Sequence, residues 1–298
     1  MLTATEGKSK STVHTTRTVE LSGPLSKLMT RSASRHGGYG WMRDLPDSRD
    51  YLYAAPLLLF RSGLPTKVDL RPKCPPVYDQ GQLGSCTANG IAAAIEFDQR
   101  KQGIKVFAPS RLFIYYNERA IEGTVNQDSG AQVRDGIKSV ATIGAPPEKD
   151  WPYNIKVFAE KPPLKAYTDA KKDLVASYSR VSQGTTQMQG CLAEGYPFVF
   201  GFTVYESFES DAVAKSGVVP MPTSREKVLG GHCVMAVGYD ATKRVFIVRN
   251  SWGKGWGMKG YFTMPFEYLL NTHLASDFWT IRMVIQKKAR RTHRKAKR

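Results

Sequence analysis

The sequence predicts an α+β protein, a helical half followed by a strand half, and two observations carry that expectation. Between Ser85 and about Ala145 apolar residues recur at three- and four-residue spacing. From Phe198 onward they alternate or run together in short segments, and Gly, Pro, Asn and Lys separate those segments. Layers of this kind bury one face each against the other and leave a cleft where they meet.

The elements follow in order. Residues 1 to about 38 are rich in Ser, Thr and Lys, which predicts weak order. Gly37 to Tyr53 reads GGYGWMRDLPDSRDYLY, and Tyr39, Trp41, Leu45, Tyr51, Leu52 and Tyr53 are expected to dock on a neighbouring surface. A globular body is expected from 64 to 286, its helical half over about 64–150 and its strand half over about 151–286. Thr87 to Lys101 places Ile91, Ala94 and Ile95 on one helical face, Pro109 to Ile121 repeats the trend, and Val133 to Ile143 is a third helix. FVFGFTV, CVMAVGYD, RVFIVRN, GYFTMP and FWTIRMVI read as strands. No internal repeat interrupts this order.

The 298 residues bound the chain at about two compact units, and 41% hydrophobic residues exclude disorder along its whole length. The net charge of +17 is unevenly spread. Residues 1–63 hold 9 basic and 5 acidic residues, residues 64–286 hold 26 and 21, and residues 287–298 hold 8 and none. The basic tail KKARRTHRKAKR is therefore expected to be solvated, with weak electrostatic binding of nucleic acid or acidic surfaces as its one capacity. Cys74, Cys86, Cys191 and Cys233 are too few and too irregular for a disulfide framework, and the five histidines show no ligand spacing, so no metal and no cofactor is expected. The N-terminus lacks the apolar core of a secretory signal and no run is long enough to span a bilayer. A cytoplasmic monomer is expected, with export by a specialised route left open.

Three short motifs carry chemistry. QGQLGSC, from Gln80 to Cys86, runs straight into the first helix, so Cys86 stands at a helix N-terminus, where the dipole favours a thiolate. GGHC sets His232 on an apolar strand after a glycine pair, and RNSWGKGWG sets Asn250 just past another strand, before Trp252. Taken singly, each has a plain structural reading: a buried inert cysteine, a core histidine, a strand end with aromatic packing. Taken together they supply a nucleophile, a base and a group to hold the base. Cys86 and His232 are 146 residues apart and Asn250 lies 18 further on, within the separations known for one such family.

From LPTKVDLR at Leu64, through these motifs and the Ser129–Gly130 turn, to NSWGKGWGMKGYF and about Ile285, the chain resembles the papain-like cysteine peptidases, in the style of bacterial and viral members with short N-terminal extensions. The resemblance implies a helical left domain and a barrel-like right domain with the active cleft between them. It implies Cys86 as nucleophile, His232 as its partner, Asn250 as the group orienting the ring, and Gln80 as an oxyanion donor beside the Cys86 backbone N–H. Trp252 would shield the His232–Asn250 bond from water, while Ser129, Gly130, Ala131 and Gly231 would meet the substrate backbone. Aligning HLASDFW puts Asp277 at the floor of the pocket for the second residue before the scissile bond, where it would admit basic side chains as well as hydrophobic ones.

The expected substrates are peptides or proteins, and the expected activity is endopeptidase. Residues 1–63 would be a pro-like extension, of which residues from about 20 to 60 would pack on the catalytic domain and partly block substrate access. Departures from the family pattern are Leu83 and Asp128 where a disulfide pair is usual, and Thr87 where an aromatic residue follows the nucleophile. Two other functions stay open on sequence grounds: acyl transfer to an amine at the same site, and a non-catalytic basic binding protein working through its tail.

Overall fold

The computed structural model describes residues 38–61 and 63–286. The readings for residues 1–37 and for the basic tail fall outside the described residues. In chain order the elements are β1 (Trp41–Met42), α1 (Leu57–Arg61), β2 (Lys67–Asp69), α2 (Cys86–Lys101), α3 (Arg111–Glu122), β3 (Ala131–Gln132), α4 (Val133–Thr142), α5 (Leu164–Ala170), β4 (Asp173–Arg180), α6 (Thr185–Ala193), β5 (Phe198–Tyr205), α7 (Asp211–Ser216), β6 (Val228–Asp240), β7 (Val245–Arg249), β8 (Tyr261–Pro265), α8 (Phe266–Leu270) and β9 (Ala275–Gln286).

Helix α2 is the centre of the packing. Its run NGIAAAI has small or apolar residues on every side, and Cys86 through Gln99 are all buried, as befits a helix enclosed by other elements. It packs on α3 and α4 on one side and on β6, β9 and β5 on the other. Helix α3 begins where Ser110 Oγ accepts from Phe113 N at 3.2 Å and donates to the Trp151 carbonyl at 2.6 Å, a cap that also pins the next loop.

The strands form an antiparallel sheet in the order β4-β9-β5-β6-β7-β8, with β2 pairing alongside β6. Its ends, β4 and β8, are not paired to each other among the described residues, so the sheet is open rather than a closed barrel. Phe198, Phe200, Phe202, Phe246, Phe262 and Phe278 fill its inner face, each such side chain contributing roughly 1.5–3 kcal/mol by leaving water. The strand half also holds α5, α6, α7 and α8, which are five to nine residues long. Elements that short leave little periodicity to read.

Residues 38–55 lie across the body as an extended strap. Tyr39 and Tyr53 are buried and Trp41 is partly buried against the core, whereas Leu45, Tyr51 and Leu52 are exposed, contrary to the expectation that all six dock. A turn at 48–50, where Asp50 N donates to Asp47 O at 3.2 Å, interrupts the strap, so the register of Tyr39 and Trp41 does not carry through to Tyr51 and Leu52.

Candidate active site

The site is assembled where the N-terminus of α2 meets β6. Cys86 opens α2 and is fully buried. His232 lies on β6 opposite Phe202 of β5 and is also fully buried. Antiparallel pairing of Met235 with Arg249 brings the next residue, Asn250, within reach of the histidine. His232 Nε2 and Asn250 Oδ1 are 2.8 Å apart, and the same oxygen accepts from Ser251 N at 2.8 Å. Both bonds identify that atom as the acceptor, so Nε2 carries the proton and the neutral ring keeps its lone pair on Nδ1. Nδ1 has no hydrogen-bond partner. The Trp252 indole stacks on the imidazole, with centroids 4.8 Å apart and planes 28° apart.

Gln80 is fully buried and held from three directions. Its backbone N–H donates to Ser251 O at 2.9 Å, its backbone carbonyl accepts from Tyr153 Oη at 2.9 Å, and its Oε1 accepts from Ser251 Oγ at 2.5 Å. The amide nitrogen is thereby turned toward the strap, where it donates to Gly38 O, and to Leu83 O, each at 2.9 Å. A carbonyl oxygen of the strap thus rests on the group that the sequence marks as an oxyanion donor.

The strap makes further backbone contacts along this cleft. Gly40 N donates to Gly231 O at 3.1 Å, and Gly40 O accepts from Ala131 N at 2.7 Å, so that β1 runs parallel to β3. Gly130 has φ +77°, and a Cβ there would fall 2.0 Å from Gly40 O, so both its backbone angle and the closeness of the strap require glycine. Ser129 points elsewhere, donating its hydroxyl to Thr124 Oγ1 at 2.9 Å. Tyr39 sits edge-on to the His232 ring, centroids 6.3 Å apart, and donates its hydroxyl to Glu209.

Covering the site changes its electrostatics. Burial pushes the Cys86 thiol up to about 12, against the backbone N–H groups of Cys233, Gly40 and Thr87, with Glu118 adding to the rise. Burial lowers His232 to about 4, against the Asn250 hydrogen bond. Thiol and neutral imidazole are therefore the stable forms here.

Asp277 stands at the far end of the strap contact. It accepts at Oδ2 from Trp41 Nε1 at 3.1 Å and from Asp44 N at 2.8 Å, and pairs at Oδ1 with Arg180 at 3.0 Å. It is buried and has φ +60°. Arg180 offsets its charge while also pairing with Asp50 at 3.1 Å and Asp44 at 3.5 Å. Asp44 in turn accepts from Arg134 N and Trp279 Nε1, and Arg134 forms a buried bidentate pair with Asp50 at 2.6 and 3.1 Å.

Asp128, at the place of the missing disulfide partner, accepts at 3.0 and 3.2 Å from the backbone N–H of Gly84 and also accepts from the Tyr115 hydroxyl. It joins the loop before Cys86 to the loop carrying Ala131. All four cysteines are free. Among the described residues no group of three or more His, Cys, Asp or Glu side chains is placed to hold a metal ion, and no helix is long and apolar enough to cross a membrane.

The sequence singles out none of Ser251, Arg134, Arg180, Glu209 or the glycines of the strap. Its one available signal was GGYGW, where glycines flank large aromatic residues, a pattern that marks close backbone approach.

Cys86 opens α2, the helix that packs on β6, and the bonded His232–Asn250 pair joins β6 to the end of β7. The profile of the papain family cysteine proteases matches residues 64–277, and the chain belongs to that family. It is 42% identical over 279 residues to a peptidase C1-like protein of Acanthamoeba polyphaga mimivirus, covering 86% of this chain and 89% of that one. Xylellain, a cysteine protease from Xylella fastidiosa, superposes with a TM-score of 0.79 at 45% identity, over 88% of this chain and 99% of that one. A digestive procathepsin L 3 of Tenebrio molitor larval midgut shares the fold with a TM-score of 0.63 at 18% identity, over 83% and 76% of the two chains. The protein is a thiol peptidase.

Proposed function

We propose that the protein is a cysteine endopeptidase acting through Cys86, His232, Asn250 and Gln80, and that residues 38–44 keep it latent by lying in the substrate cleft. The observation that carries this reading is the His232–Asn250 bond, which leaves the Nδ1 lone pair unpartnered in the same buried site as the helix N-terminal thiol. With the strap withdrawn, water returns, the thiol and imidazole regain their ordinary affinities for protons, and Nδ1 takes the Cys86 proton. The thiolate adds to the scissile carbonyl, and the oxygen gathers its charge against Gln80 Nε2 and the Cys86 backbone N–H. His232 then gives the proton to the leaving amine, and the thioester is hydrolysed by a water that His232 deprotonates. Asn250 holds the ring throughout.

Ala131 N and Gly231 O, which now bind Gly40, are the backbone groups a peptide would use in its place. Protein substrates, a monomeric state and a cytoplasmic setting belong to the same proposal. A peptide-library cleavage profile of the full chain beside Cys86→Ala, with a thiol-reactive epoxide as label, tests it. Cleavage and labelling lost together in Cys86→Ala are expected, and cleavage retained in that variant overturns the assignment. Adding an amine nucleophile during turnover separates hydrolysis from acyl transfer by the products.

A further inference from the structure

The helix that begins at Cys86 is tied from inside the body by a carboxyl group that takes no step in the peptidase reaction. Glu118 of α3 is fully buried. Its Oε1 accepts from the hydroxyl of Thr87, the residue after the nucleophile, at 2.5 Å. Its Oε2 is shut off from water and has no hydrogen-bond partner. Room for that oxygen comes from Gly136 of α4, where a Cβ would fall 2.6 Å from Oε2 and 2.4 Å from Ile91 Cδ1 of α2. Thr87 stands where the family places an aromatic residue, so a hydroxyl and a carboxyl group lie next to the nucleophile where a ring is usual.

A carboxylate in that place would be poorly supported. A buried charge needs a cation or several donors against it, and the donor at Oε1 is a neutral hydroxyl. Acidic groups act on it from the neighbouring elements, Glu122 from α3 and Asp135 from α4, and the thiols of Cys86 on α2 and Cys233 on β6 feel its charge in return. Arg119 of α3 is the cation that favours its ionised form, but that guanidinium donates to the carbonyls of Tyr115, Val125, Gln127 and Phe158. Burial foremost, with Glu122 and Asp135, holds the Glu118 carboxyl well above the usual carboxylate range, against Thr87 and Arg119. A neutral acid here leaves the N-terminal field of α2 whole for a Cys86 thiolate. A carboxylate would set a second negative charge beside it in a medium that screens poorly.

We propose that Glu118 is a positioning residue of the nucleophile that works as a neutral acid: it fixes the first turn of α2 through Thr87 and lets Cys86 ionise, and loss of its proton to solvent at alkaline pH shuts the enzyme off. The proposal rests on Cys86 being the nucleophile of the peptidase site. The acid limb of the activity then belongs to the Cys86–His232 pair and the alkaline limb to Glu118.

Two measurements on the full chain test it. The first is the infrared difference spectrum between wild type and Glu118→Gln at pH 7, in the carbonyl region of protonated carboxyl groups. Gln keeps an oxygen to accept from Thr87 and has no proton to lose. A protonated-carboxyl band in wild type that is missing from the variant is expected, and a difference spectrum without that band overturns the proposal. The second is the rate at which a small epoxide labels Cys86 between pH 5 and pH 10, read by mass spectrometry. Taking the ratio of variant to wild type at each pH cancels the opening of the strap. That ratio should climb about tenfold or more from pH 7 to pH 10, as wild type loses its neutral acid and Glu118→Gln does not. A ratio that stays level or falls overturns the proposal. Thr87→Val keeps the side-chain shape and removes the donor that favours the carboxylate, so its alkaline limb should lie at higher pH than that of wild type. A limb at the same or lower pH overturns the proposal even where Glu118→Gln does not fold. Absence of Cys86 labelling in every protein overturns the reading of the site and the proposal with it, whereas the infrared band reports the state of Glu118 whichever residue is the nucleophile.

Discussion

Substituting Gly40 by alanine isolates the strap from the body, because the residue belongs to the strap alone. Its Cβ would lie 1.7 Å from Gly84 O, 2.5 Å from Gly84 C and 2.9 Å from Gly84 Cα. All three are backbone atoms of the loop that Asp128 fastens, so no side chain can swing aside. Restoring an ordinary 3.4 Å contact requires the strap to retreat by about 1.7 Å. That retreat breaks Gly40 N to Gly231 O and Ala131 N to Gly40 O, now 3.1 and 2.7 Å. Two such bonds are worth roughly 1–3 kcal/mol in net terms, or about a 5- to 150-fold rise in the uncovered fraction. The assay is the rate of Cys86 modification by a small epoxide, with hydrolysis of a short fluorogenic peptide in parallel, and thermal melting to show the body intact. A labelling rate within about twofold of wild type, in a folded protein, would refute the argument that this contact holds the cleft shut.

Gln80→Ala in the uncovered enzyme should lower kcat on the order of 100- to 1000-fold with KM little changed, read by steady-state peptide hydrolysis, because the donor acts on charge that develops only in the transition state. Cys233→Ala should retain peptidase activity, and Cys86→Ser should lose it, since Cys233 follows His232 on β6 and faces the other way, toward Gly90 of α2. Asp128→Ala should cost about 1–3 kcal/mol in chemical denaturation, for it strands the Gly84 N–H and the Tyr115 hydroxyl, and Asp128→Asn should recover part of that loss. The pH dependence has two opposed parts. His232 near 4 in the covered site means that the covered state's advantage is full above 6.5 and is lost as pH falls through 4. Asp44, held above the usual carboxylate range by burial and by the charge of Asp277, takes up a proton on covering and opposes that loss. Asp44→Asn should therefore open more than wild type between pH 7 and 4.5, read as labelling rates normalised to Gly40→Ala at each pH, and an identical pH profile would contradict the sign.

The helices and strands that surround the cleft were legible because each is patterned: α2, α3 and α4 carry the helical period, and β5 to β9 are apolar runs bounded by turn residues. The His232–Asn250 bond and the place of Cys86 at the start of α2 were legible through order and spacing. β4 was not, although it is as long as β5, because Asp173–Arg180 has no clean alternation of buried and exposed residues. The partners of the strap were illegible for another reason. Arg134, Arg180 and Asp50 lie far apart in sequence and read singly as surface charge; only the fold brings them together as ion pairs. Asp277 shows the limit most clearly, since its position was read from the sequence but its neutralising partner, 97 residues away, was not.

The carboxylate tie at Asp128 also bears on how the site is assembled. A disulfide between these two loops forms only after an oxidant has acted, over seconds to hours, and competes with wrong pairings along the way. A carboxylate that accepts from Gly84 N and Tyr115 Oη engages as soon as the chain brings the loops together. Maturation of the nucleophile loop is thereby uncoupled from thiol chemistry, and Cys86 is completed as a free sulfur without passing through a stage at which a neighbouring half-cystine in that loop can capture it.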